Sequence, residues 1–138
     1  MRRWGALKKA LSYGDGLFQW EAFSLIAVIS EVWPHPDRRA DYFRLSEELR
    51  PSLLAIDGFI SVERLESSAE PGKLISLSFW RDEASLSRWR NLEEHRLVME
   101  KGRSGILRDY RIRVSQVLWD YSISDRDQAP KDSRERLG

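Results

Sequence analysis

The sequence predicts an α+β domain with one antiparallel sheet and both helices on the same side of it. Three observations carry that prediction. From about residue 24 to residue 122 the hydrophobic period changes in the order strand, helix, strand, strand, helix, strand. Turn signals fall where the period changes: Pro34 and Pro36, Asp57-Gly58, and Pro71-Gly72. The chain has 138 residues, 41% of them hydrophobic, which supports one core and not two.

Leu25 to Trp33 is apolar and β-branched, a strong strand stopped by the two prolines. From Asp37, residues Tyr42, Leu45, Leu49, Leu53 and Ile56 recur on one helical face. Pro51 lies inside that helix, where it removes the bond to Glu47 and is expected to kink the last turns. Asp57-Gly58 turns the chain into Phe59–Glu66, which alternates as a strand; Ser67–Gly72 is loop and Lys73–Arg81 a third strand. Asp82 is placed to cap the next helix, its carboxylate accepting from free amides two or three residues on. That helical region runs to about Arg108 with an expected break near Asn91, and Tyr110–Ser122 reads as a long last strand. The order β-α-β-β-α-β is the split βαβ, ferredoxin-like motif.

The flanks differ from this core. Residues 1–23 form an N-terminal extension in which Trp4, Leu7 and Leu11 allow a short amphipathic helix, packed on its own domain or touching a membrane surface. Residues 123–138 alternate charges around one proline and offer little to bury, so no fixed structure is expected there.

Successive strand residues point to opposite faces. One predicted face carries Ile26, Val28, Ile60, Val62, Ile75, Leu77, Phe79, Ile112 and Val114, and belongs under the helices. The other carries Ile29, Trp33, Phe59, Leu74, Trp80 and Trp119 among Glu31, Ser76, Ser78, Arg111 and Arg113. Three tryptophans on a wet face are too much apolar area for a monomer. A second copy packed on that face would bury them and pair Glu31 or Glu63 with Arg111 or Arg113, so a homodimer is expected.

Lys+Arg 23 against Asp+Glu 22 leaves +1, and no global charge points to nucleic acid or an anionic membrane. The absence of cysteine removes disulfides, thiolate nucleophiles and Cys-ligated metal sites. No window approaches the ~18 apolar residues of a membrane span. The N-terminus opens like a signal peptide, but Lys8, Lys9, Gly14 and Asp15 interrupt the apolar region. A cytoplasmic location fits these features. No phosphate-binding glycine motif and no G-x-S-x-G is present.

One stretch carries a family resemblance. Ser78-Phe79-Trp80-Arg81-Asp82-Glu83 leads through Trp89 to Glu94-His95, Gly102-Arg103, Asp109-Tyr110-Arg111-Ile112-Arg113-Val114 and Tyr121. This resembles the antibiotic biosynthesis monooxygenase family over about residues 25–122, in particular its bacterial heme-degrading monooxygenase-like branch. The resemblance implies a dimeric α+β barrel of two ferredoxin-like units with a pocket in each subunit between helices and sheet. Family members include cofactor-free oxygenases of aromatic polyketides and enzymes that bind heme and open its ring. Trp80 and Trp89 match the two tryptophans of the heme degraders. The axial histidine of those enzymes falls near Val98 or Met99, four residues beyond His95, and their first-strand asparagine falls at Ser30.

His95 is a candidate catalytic residue, as iron ligand or proton relay, with a structural hydrogen bond as the plain alternative. Trp89 joins it as a stacking surface for a flat ligand; both Trp89 and Trp80 can equally be core. Trp80, Ser30 and Met99 are candidate substrate-binding residues, and Arg103 could hold a carboxylate. One such histidine without cysteine makes no protein-only metal site. The expected function is a monooxygenase acting on a planar aromatic molecule, heme included, with no cofactor or heme as the two cofactor readings. The competing reading is a non-catalytic dimeric binding or stress-related module of the same fold.

Overall fold

The structure is a computed structural model that describes residues 25–138. The helix expected within residues 1–23 lies outside the described residues. Strand β1 (Ile26–Pro34) ends at a 3-10 turn, Pro36–Arg38, that opens helix α1 (Arg39–Leu54). Strands β2 (Phe59–Glu66) and β3 (Leu74–Trp80) follow, then helices α2 (Glu83–Arg90) and α3 (Glu93–Lys101), a π-turn at Gly102–Ile106, and β4 (Leu107–Gln116). The four strands form one antiparallel sheet in the order β2-β3-β1-β4. This is the ferredoxin-like α+β fold.

Local chemistry sets the element ends. Pro51 sits in the last turn of α1, where the bond it removes, to Glu47, is near the helix end anyway. Gly58 adopts φ +95°, and a Cβ there would lie 1.9 Å from Ser85 Oγ. The turn therefore lets the fully buried Ser85 approach the backbone, which no L side chain would permit. Asp82 caps α2 as expected: its Oδ1 accepts from the Ser85 amide at 2.8 Å and from Ser85 Oγ at 2.6 Å. The break between α2 and α3 falls at Asn91-Leu92, and Glu93 and Glu94 open the new helix, where their charge suits the dipole.

Strand pairing corrects the expected faces. Directly paired residues of antiparallel strands share a face. Val28 pairs with Ser78 and Val114, Ser30 with Ser76 and Ile112, and Ile26 with Trp80. The helix-side face of β3 is therefore Leu74, Ser76, Ser78 and Trp80, while Ile75, Leu77 and Phe79 take the open face, the reverse of the expectation. Phe59 joins the helix side too: it pairs with Trp80 ahead of a bulge and packs edge-on against its ring at 5.3 Å. Trp80, 1% exposed, forms the core cluster with Ile26, Val28 and Leu86.

The open face also differs in its charges. Glu31 is held by both Lys73 and Arg113 of the same chain. Trp33 donates to Glu70 at 3.0 Å and lies beneath Lys73. Trp119 falls beyond β4, which ends six residues before the expected Ser122, and is largely exposed. Of the three tryptophans expected on this face, Trp33 alone lies on it. The C-terminal stretch expected to lack fixed structure holds a short helix, α4 (Lys131–Leu137). Arg134 ties it back by donating to the carbonyls of Ala129 and Arg126, each at 2.9 Å. No helix among the described residues is long and apolar enough to cross a membrane.

Candidate functional site

Between the three helices and the sheet lies a cavity of about 280 Å³. Its floor is the helix-side face of β1 and β3, its roof is α1, α2 and α3, and its wall continues onto β4. Ile112 and Val114 on β4 line it yet remain about half exposed, because an edge strand has no neighbour beyond it. A mostly apolar cleft with a few polar groups is the usual form of a small-molecule site.

The helix break brings the two candidate catalytic residues together. In an unbroken helix, positions six apart would point about 120° away from each other. With the chain broken at Asn91-Leu92, the Trp89 and His95 rings lie 4.7 Å apart. Trp89 in turn tilts over Trp80 at 6.5 Å, so Phe59, Trp80, Trp89 and His95 form one continuous aromatic ladder running to the cavity. Trp80 is thus core and cavity wall at once, its indole donating to Ser78 Oγ at 3.0 Å.

His95 Nδ1 is buried without a hydrogen-bond partner among the described residues. Burial pushes the imidazole pKa below its ordinary value, and a hydrogen bond with the Arg90 backbone opposes that only in part. The ring is therefore neutral at neutral pH, and a neutral imidazole can accept a proton.

Ser30 and Met99 also line the cavity, so five of the six candidate residues converge there. Arg103 does not: it is exposed on the π-turn, away from the cavity wall. Arg113 faces the other side of the sheet, on Glu31. Sequence reasoning missed Ser76, Ser78, Arg64 and Tyr42, all on the wall. Two serines at i and i+2 inside an otherwise apolar strand are the signal that was available, since small polar side chains leave room where a floor must be low.

Heme does not fit this wall as the resemblance would require. Val98 and Met99, on the cavity wall, occupy the stretch where the axial histidine would stand. Among the described residues no group of three His, Cys, Asp or Glu is placed to hold a metal ion.

Residues 25–101, over half of the chain, match the family described as antibiotic biosynthesis monooxygenase. The chain belongs to this family. Jasmonate monooxygenase ABM of Pyricularia oryzae is 50% identical over 93 residues, which is 67% of this chain and 43% of that protein. The uncharacterized protein YqjZ of Bacillus subtilis is 35% identical over 60 residues, 44% of this chain and 51% of its own. The chain thus spans about half or less of these curated relatives. Rv0793 from Mycobacterium tuberculosis superposes with a TM-score of 0.64 at 24% identity, covering 72% of this chain and 100% of that one. A conserved protein from Methanosarcina mazei Go1 does so at 0.62 and 18%, covering 70% and 95%. These two share the fold.

Proposed function

We propose that this antibiotic biosynthesis monooxygenase domain binds a small, largely apolar, unsaturated molecule in its cavity and transfers one atom of O₂ to it. One observation carries the reading: a half-buried His95, whose buried Nδ1 has no hydrogen-bond partner among the described residues, lies against Trp89 in a mostly apolar cleft. In a balanced reaction one oxygen atom enters the substrate and the other leaves as water. The two electrons come from the substrate itself or from an external reductant. His95 accepts the proton that leaves the substrate as it is activated, Trp89 supplies a flat surface that orients it, and the apolar walls exclude water. The similarity to the jasmonate monooxygenase makes a jasmonate-like molecule the first substrate to try, and planar aromatics the second.

Oxygen uptake with isotope-labelled O₂ tests the proposal. We expect His95→Ala to lower uptake by about a hundredfold, the usual contribution of a general base, while leaving tryptophan quenching by the substrate intact. Binding without uptake by the wild type would favour the non-catalytic binding module. Hemin should bind weakly; nanomolar affinity would overturn the small-molecule reading.

We further infer that a second copy covers the open face of the sheet. Ile29, Ile75, Leu77 and Phe79 support this with their cluster of apolar side chains. Light scattering giving a monomer at micromolar concentration would reject it.

A further inference from the structure

The cavity floor carries a polar row that the oxygen chemistry above does not use. Arg64 on β2 pairs with Ser76 on β3, and Ser76 pairs with Ser30 on β1. Arg64, Ser76 and Ser30 therefore take neighbouring positions on the covered face of three strands, their backbones about 4.8 Å apart from strand to strand, and all three residues line the cavity. Both serines are half-buried, and neither hydroxyl has a hydrogen-bond partner among the described residues.

Arg64 itself is exposed where it lines the cavity and makes no ion pair among the described residues. Its guanidinium lies over the rings of Phe43 and Tyr42, 5.0 and 5.5 Å from their centres. Those rings fix its position without neutralising its charge. Arg38, Arg39, Arg44, Arg81 and Arg113 each hold a carboxylate, whereas Arg64 has none among the described residues. Arg50 and Arg90 reach the same wall, and Glu47 is the one acid on it. The cavity wall therefore carries net positive charge on exposed side chains beside an apolar interior.

We infer that the ligand of this cavity is an anion, a carboxylate at one end of an apolar body. Arg64 receives the carboxylate by a charge-assisted pair, with the Ser76 and Ser30 hydroxyls donating to the same group. The body extends along the floor toward Trp80 and Trp89. Ser76 and Trp80 are four residues apart on β3, so at about 3.3 Å per residue the head site and the indole are separated by roughly 13 Å. This inference rests on the cavity being the substrate site and makes Arg64 its specificity-determining residue.

Calorimetry on the full chain, with phenylbutyrate, cyclohexylbutyrate and their methyl esters as probes, tests the assignment. Each acid should bind about tenfold tighter than its ester. Arg64→Gln should abolish that preference and leave ester affinity unchanged, while Arg64→Lys retains part of it. Glu47→Gln removes the opposing charge and should tighten the acids by about twofold, which keeps the question answerable if Arg64→Gln misfolds. Equal affinity for acid and ester, a preference that survives Arg64→Gln, or no binding by either acid would overturn the inference. The two readings of the site fail separately. Acid preference without oxygen uptake keeps this one and removes the oxygenase; uptake indifferent to acid or ester does the opposite.

Discussion

The two faces of the sheet are made by the same strands and solve opposite problems. On the helix side, β1 and β3 present Val28, Ser30 and Val32 beside Ser76, Ser78 and Trp80. On the open side they present Ile29, Glu31 and Trp33 beside Ile75, Leu77 and Phe79. The middle of the covered face is the more polar of the two. Around the cavity it floors, polar groups are left unpaired: the hydroxyls of Ser30 and Ser76 and the imidazole Nδ1 of His95 have no partner among the described residues. On the open face Glu31 is gripped by Lys73 and Arg113, and Trp33 donates to Glu70. Paired polar groups fix strands in register, whereas unpaired groups around a cavity are left for a ligand to satisfy.

The most damaging way to break the contrast is Trp80→Ala. Trp80 is 1% exposed and holds the floor, the core cluster and the aromatic ladder together. Truncation should cost about 3–5 kcal/mol, read as a lower urea midpoint with an unchanged slope. A loss below about 1 kcal/mol would mean that the ladder is not part of the core. Leu77→Asp probes the opposite face of β3, three residues before Trp80. It should leave the fold intact and shift light scattering from dimer to monomer, since an interface would bury the new charge without a partner. An unchanged dimer would place the interface elsewhere.

The contrast also explains how far the sequence could be read. Features set within a turn or two of chain were legible: the Asp82 cap, the break at Asn91, and the Glu93-Glu94 start that lets Trp89 and His95 meet. The faces of β3 were not. Assigning the more apolar side of a strand to the core works when the covered side is packed solid. Here the covered side floors a cavity, so the rule inverted and moved Ser76, Ser78 and Trp80 to the wrong side. What decides it is the pairing of Val28 with Ser78, a contact fifty residues apart that no local pattern contains. Arg103 failed for a related reason: a guanidinium's ability to hold a carboxylate says nothing of where the chain carries it, and the π-turn with Gly105 at φ +130° sets it on an exposed bend.

The smallest effect separates the two faces by pH. Burial holds the His95 pKa below its ordinary 6.5, against the weaker pull of the Arg90 backbone. Below pH 6.5 the unfolded chain therefore takes up a proton that the native imidazole refuses, and stability falls as pH falls from there. Glu31 is a carboxylate whose pKa lies below its ordinary 4.5, lowered first by its hydrogen bond from Lys73 and then by that from Arg113. Its contribution is complete above pH 4.5 and is lost as pH falls beneath that value through the native pKa. Both faces weaken in acid, but in different windows. His95→Gln should flatten the loss that begins below pH 6.5, while Glu31→Gln should act only below 4.5. Urea melts at half-unit pH intervals resolve the two. A His95→Gln profile that still falls by the wild-type amount above pH 4.5 would show that the native imidazole takes up its proton as readily as the unfolded one, and that burial in the cavity does not hold it back.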